Sequence, residues 1–146
     1  MTLLNPGTLV VRPPQIAPER HLAIDVADIL EAAPGYILPA DSHIRELLDF
    51  VGRWDRAAPL LIHCYAGVSR SPAAAYISAC ALAPRRDEGE IARALRAASP
   101  TATPNPRLVA LADATLGRAG RMTKAIEGIG RGEECFEGVP FALEIG

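Results

Sequence analysis

Leu60-Leu61-Ile62-His63-Cys64-Tyr65-Ala66-Gly67-Val68-Ser69-Arg70-Ser71-Pro72 is the stretch on which the reading of this chain turns. Leu60 to His63 reads as a strand buried on both faces, because its apolar run is continuous rather than alternating. Residues 64–70 read as a loop with Gly67 at its bend. Ser71-Pro72 then opens a helix to about Ala83, with Ser71 at the cap and proline in the first turn. A strand that delivers a cysteine to a short loop closing on a helix start has a definite electrostatic character. Successive backbone N–H groups of such a loop converge into an anion nest. The helix that follows adds the positive end of its dipole.

Within that field Cys64 is expected to ionise below the free-thiol value of about 8.5. A depression of roughly three units corresponds to roughly 4 kcal/mol of preference for the thiolate. Arg70 supplies a planar fork matched to two oxygens of a phosphate. The backbone of Tyr65, Ala66, Gly67, Val68 and Ser69, with Arg70, forms the expected phosphate cradle. Ser71 is placed to hydrogen-bond the cysteine sulfur and ease its departure from a thiophosphate. His63 is placed to hold the loop backbone from behind. A thiolate inside a phosphate cradle is a nucleophile aimed at phosphorus.

The segment resembles the His-Cys-x-x-Gly-x-x-Arg-Ser signature of the cysteine-dependent protein tyrosine phosphatases. Its Ser-Arg-Ser ending is similar to the dual-specificity branch, including its bacterial members. Asp28 resembles that family's general acid and lies 36 residues ahead of Cys64. Thr103-Pro104-Asn105 resembles the Pro-Asn element of dual-specificity domains. The likeness spans residues 20–116. It implies attack of Cys64 on phosphorus, protonation of the leaving oxygen by Asp28, and hydrolysis of a cysteinyl-phosphate by water that the same aspartate activates. Asp25 and Asp41 stay open as alternatives for the acid, in that order after Asp28. The substrate implied is phosphotyrosine, and phosphoserine or phosphothreonine as further options. A lipid or small-molecule phosphoester is less favoured, because the loop interior carries no additional Lys or Arg. An inactive phosphate-binding module and a rhodanese-type sulfur transferase are the further alternatives. No cofactor and no metal are implied, and His21, His43 and His63 are scattered.

Outward from this stretch, the chain reads as an α/β domain spanning residues 1–146. Residues 1–4 and His21–Val26 read as strands, the second with Leu22, Ile24 and Val26 on one face. Asp41 or Ser42 caps a helix to about Trp54, striped by Ile44, Leu47, Leu48, Val51 and Trp54. Further helices are expected at 87–98, from Asn105-Pro106 to about Leu116, and at 121–129. Residues 131–146 read as an extended tail of little periodicity. The expected architecture is a small central, mostly parallel sheet flanked by helices, with a helical C-terminal half. Only twenty residues precede His21, so the resemblance implies a shortened N-terminal sheet edge.

The 146 residues are 49% apolar and 22% charged, with fifteen Lys and Arg against seventeen Asp and Glu. That balance excludes a disordered tail and argues against a surface built for nucleic acid or an anionic membrane. The apolar run Pro72–Ala83 is too short to span a bilayer. Cys64, Cys80 and Cys135 make an odd set that fits a reducing cytosol, so a cytoplasmic location is expected. Cys80 reads as core, and Cys135 has no assignable role. Arg118, Arg121 and Lys124 read as a solvated basic face.

Overall fold

Two short parallel strands and five helices are described by the computed structural model, which covers residues 1–146. Strand β1, Thr2–Leu4, pairs in parallel with β2, Ala23–Asp25, in the register Thr2 to Ala23, Leu3 to Ile24 and Leu4 to Asp25. All three residues of β1 are buried, whereas only Ile24 of β2 is. On its other edge β1 meets the segment before the loop. Leu3 N–H donates to His63 O at 3.0 Å, His63 N–H donates to Met1 O at 3.0 Å, and the terminal ammonium donates to Leu61 O at 2.7 Å.

The Leu60–His63 expectation is corrected here. The segment forms one parallel bridge, Thr2 with His63, and is no named strand. It is not buried on both faces: Leu61 is 66% exposed, and Leu60 and Ile62 are half-buried. No strand forms because the backbone groups of Leu60 and Ile62 have no backbone partner, and the side chains alternate, with Leu61 on the uncovered face. The second expected strand also shortens, to 23–25.

The helices are α1 (Asp41–Gly52), α2 (Arg70–Leu82), α3 (Glu88–Ala98), α4 (Pro106–Thr115) and α5 (Arg121–Ile129). Helix α2 packs against α1, α3, α4 and β1. It is apolar nearly all round, as a central helix must be, with Ala73, Ala74, Tyr76, Ile77, Ala79 and Cys80 buried. The expected α/β composition with a small parallel sheet is present as a two-stranded sheet, beside helices packed around α2. No helix is long and apolar enough to cross a membrane.

Helix starts show which caps were local. Asp87 accepts from Glu90 N–H at 2.9 Å, and Asn105 accepts from Arg107 and Leu108 N–H, each at 3.0 Å. These are the side-chain caps that short polar residues make. Helix α1 instead begins after Ala40, whose N–H donates to His43 Nδ1 at 3.0 Å. Asp41 is thus the first helical residue rather than the cap. Helix α5 has a glycine, Gly120, at its cap, and its free N–H groups find a distant acceptor. Buried Asp113 takes Gly120 N–H and Met122 N–H, each at 2.7 Å, and Thr123 N–H at 3.2 Å.

Arg118 corrects the reading of a solvated basic face. It is buried, bonds Glu88 at 2.9 Å and donates to Cys80 O at 2.8 Å. Arg121 meets the same carboxylate at 3.2 Å. Glu88 is only 5% exposed. Burial pushes its pKa up, but Arg121, its own backbone N–H and Arg118 outweigh this and hold it below the ordinary glutamate value.

Candidate active site

Helix α2 starts one residue before the expected position. Ser69 is at its cap and Arg70 opens the helix, so Ser71 lies inside the first turn and does not cap. That shift frees the Ser71 hydroxyl, which lies 3.1 Å from Cys64 Sγ. Burial pushes the Cys64 thiol up. The Ser71 hydroxyl, the backbone N–H groups of Ser71 and Gly67, and the Arg70 charge together outweigh that, and its pKa lies below the ordinary thiol value. The stabilisation of the thiolate is therefore mostly hydrogen bonding to the charged form.

The loop carbonyls face outward onto neighbouring segments. Ala66 O accepts from Gly138 N–H at 2.7 Å, Val68 O from Thr103 N–H at 2.8 Å, and Ser69 O from Asn105 N–H at 3.2 Å and Ala73 N–H at 3.1 Å. In a trans peptide the C=O of one residue and the N–H of the next point in opposite directions. The N–H groups of Gly67, Ser69 and Arg70 accordingly point away from those partners. Gly67 has φ +71°, a left-handed conformation that favours glycine.

Arg70 is 7% exposed. One terminal nitrogen donates to Val26 O at 2.9 Å and reaches Asn5 Oδ1 at 3.5 Å. Its Nε is buried and has no hydrogen-bond partner. A buried guanidinium N–H without an acceptor is costly, and the chain has one other, the Nε of Arg96, whose terminal nitrogens hold backbone carbonyls. Arg70 also lines a hollow of about 290 Å³ together with Leu4, Asn5, Thr8 and Tyr65. Tyr65, 82% exposed, stands at its rim.

His63 sits behind the loop. Its Nε2 lies 2.7 Å from Thr2 Oγ1, and its Nδ1 lies 3.4 Å from Cys64 O. His21 Nε2 meets the same threonine oxygen at 2.9 Å. Thr2 therefore links the two histidines, a contact that local pattern did not signal.

Among the acid candidates, Asp28 is the one brought to the loop. Its Oδ1 accepts from Ser69 Oγ at 2.6 Å and from Asn105 Nδ2 at 2.8 Å. Asn105 also donates to Ile29 O at 3.4 Å. Asp25 is exposed on β2, and Asp41 is exposed at the start of α1; neither side chain hydrogen-bonds the loop. No cluster of three or more His, Cys, Asp or Glu side chains that could hold a metal is present. Chemically, the loop holds a thiol shifted toward its charged form, which lines the groove under residues 137–146, and a buried cation with an unpartnered donor, which lines the separate hollow beside Asn5; a carboxylate is held at Ser69.

Besides Thr2, the sequence reading missed two further participants. Asn5 reaches Arg70 from the turn after β1. Gly138 reaches the loop from the tail. Neither position carries a local signal for such a contact, since both are long-range. Comparison with protein-family models, curated proteins and solved structures returned no match.

Proposed function

We propose that this chain is a phosphatase of the cysteine-dependent type, hydrolysing phosphoric monoesters on phosphotyrosine and, as further substrates, phosphoserine or phosphothreonine. The observation that carries the reading is Arg70: nine-tenths buried, in the same loop as a stabilised thiol, with a buried Nε that lacks an acceptor. A tetrahedral oxyanion would supply that acceptor and occupy the loop N–H groups as well. The likeness of residues 63–71 to the phosphatase signature supports the same reading, and so does the Asp28–Asn105 contact.

The Cys64 thiolate attacks phosphorus in line, forming an S–P bond as the P–O bond to the leaving group breaks. Asp28, protonated, gives its proton to the leaving oxygen. The loop N–H groups and Arg70 stabilise charge on the transferring phosphoryl oxygens. Water then attacks phosphorus, Asp28 takes its proton, the S–P bond breaks, and phosphate leaves with the thiolate regenerated. The Ser71 hydroxyl stabilises the departing sulfur.

The test is hydrolysis of p-nitrophenyl phosphate across pH 4–8 with EDTA present, wild type beside Cys64→Ser. Turnover that persists in EDTA and disappears in the variant is the expected result. No turnover from folded wild-type protein that still binds orthovanadate would replace the reading with a phosphate-binding module. Thiosulfate sulfurtransferase activity without phosphatase activity would replace it with sulfur transfer.

A further inference from the structure

The tail after α5 is fastened at its start, at Gly138 and near its end. Arg96 donates to the carbonyls of Ile129, Arg131 and Gly130 at 3.1, 3.3 and 2.9 Å. Gly132 N–H donates to Thr103 Oγ1 at 3.1 Å, and Glu133 N–H to Pro100 O at 3.0 Å. Phe141, Leu143 and Ile145 are half-buried at alternate positions and pack on the core. Near the chain end Arg86 donates to Glu144 O at 2.9 Å. Between these fastenings lies Gly138, whose N–H donates to Ala66 O at 2.7 Å.

Gly138 approaches the loop backbone too closely for any side chain. A Cβ there would stand 2.8 Å from Gly67 O and 3.4 Å from Gly67 C. Its φ is not in the left-handed region, so space rather than backbone freedom demands glycine. The tail also reaches the loop by a second route: Gly132 bonds Thr103, and Thr103 N–H bonds Val68 O. The tail thus holds Ala66 O directly and touches Thr103, the residue that holds Val68 O.

We propose that Gly138 is a positioning residue for Cys64, acting through the Ala66–Gly67 peptide. Holding Ala66 O outward turns the Gly67 N–H the opposite way, where it favours the charged form of Cys64. The inference rests on the reading of Cys64 as the reactive thiolate. The other groups acting on Cys64 are Ser71 and Arg70 of α2, while His63 meets its carbonyl. Asp28 reaches the loop at Ser69, and Glu137 lines with Cys64 the groove of about 870 Å³ beneath the tail.

The test is Gly138→Ala, with Val139→Ala as the control, because Val139 is exposed. The readout is the pH dependence of Cys64 alkylation by iodoacetamide, followed by peptide mass spectrometry. The midpoint should rise by about one pH unit in Gly138→Ala, a tenfold fall in thiolate below it, and stay fixed in the control. The acid limb of kcat/KM for p-nitrophenyl phosphate should move by the same amount. A folded Gly138→Ala with the wild-type midpoint overturns the proposal. Should that variant fail to fold, amide exchange of wild-type Gly138 decides: it should slow about tenfold on orthovanadate binding, and unchanged exchange overturns the proposal. Alkylation does not require turnover. A shifted midpoint in a protein inactive on phosphoesters would therefore overturn the phosphatase reading and leave the role of Gly138 standing.

Discussion

Asn105 donates its side-chain amide to Asp28 Oδ1 at 2.8 Å, across 77 positions of sequence, while its own Oδ1 caps α4. One buried side chain thus starts a helix and fixes a carboxylate at the loop. The Ser69 hydroxyl binds the same oxygen at 2.6 Å. Asp28 is therefore oriented by groups that also hold the 64–70 loop.

Replacing Asn105 should separate these two duties. Asn105→Ala removes the cap and the donor, and should cost about 1–3 kcal/mol in urea unfolding. It should also lower kcat for poor leaving groups. Asn105→Asp keeps an acceptor for the α4 N–H groups but sets a carboxylate against Asp28. Like charge raises the Asp28 pKa, so the basic limb of the pH–rate profile should move upward. A profile identical to wild type in Asn105→Asp would show that Asp28 is not the acid.

The three cysteines should react in an order set by their surroundings. Burial, opposed by the Tyr76 hydroxyl and Arg118, pushes the Cys80 thiol up to about 11. Cys64 is held below the ordinary value, and Cys135 is exposed. At pH 6 iodoacetamide should label Cys64 first, then Cys135, and Cys80 only after unfolding. Ser71→Ala removes a donor to the thiolate, so the Cys64 midpoint should rise by about one unit. Equal labelling of Cys64 and Cys135 at pH 6 would refute this account.

Glu88 and Arg118 form the buried ion pair of the helical assembly. Glu88→Gln leaves the Arg118 charge uncompensated and should cost about 3–5 kcal/mol at pH 7. The pH dependence follows in sign. The folded-state pKa of Glu88 is lowered, so its contribution is present above the unfolded glutamate pKa and is lost as pH falls through the lowered value. Urea midpoints measured from pH 7 to pH 3 should therefore fall less steeply in Glu88→Gln than in wild type.

How much of this was legible before the fold depended on distance along the chain. Asp87 and Asn105 announce their helices because a cap and the N–H groups it takes lie within three residues. The order Cys64, Gly67, Arg70, Ser71 is likewise local, and it was enough to place the loop between a β1-paired segment and α2. What was not legible is long-range. Asp113 caps α5 from another helix, and Glu88 selects Arg118 thirty positions away. Gly138 meets Ala66 only because the tail folds back. The apolar run 60–63 misled for a related reason: its composition matches a strand covered on both sides, yet the backbone groups of Leu60 and Ile62 have no backbone partner.

Arg70 offers the sharpest separation of binding from thiol activation. Its charge is the last of the effects that lower the Cys64 pKa, after the Ser71 and Gly67 hydrogen bonds. Its geometry, by contrast, is specific: one terminal nitrogen is committed to Val26 O, leaving Nε as a buried donor in want of an acceptor. Lysine keeps the charge but not the fork. Arg70→Lys should therefore move the Cys64 alkylation midpoint less than Ser71→Ala does. Orthovanadate affinity, read by calorimetry, should fall about 10–100-fold, the equivalent of losing one or two hydrogen bonds to a charged group. If the midpoint shifts and the affinity does not, Arg70 acts on the sulfur rather than on the bound anion, and its unpartnered Nε does not mark an oxyanion site.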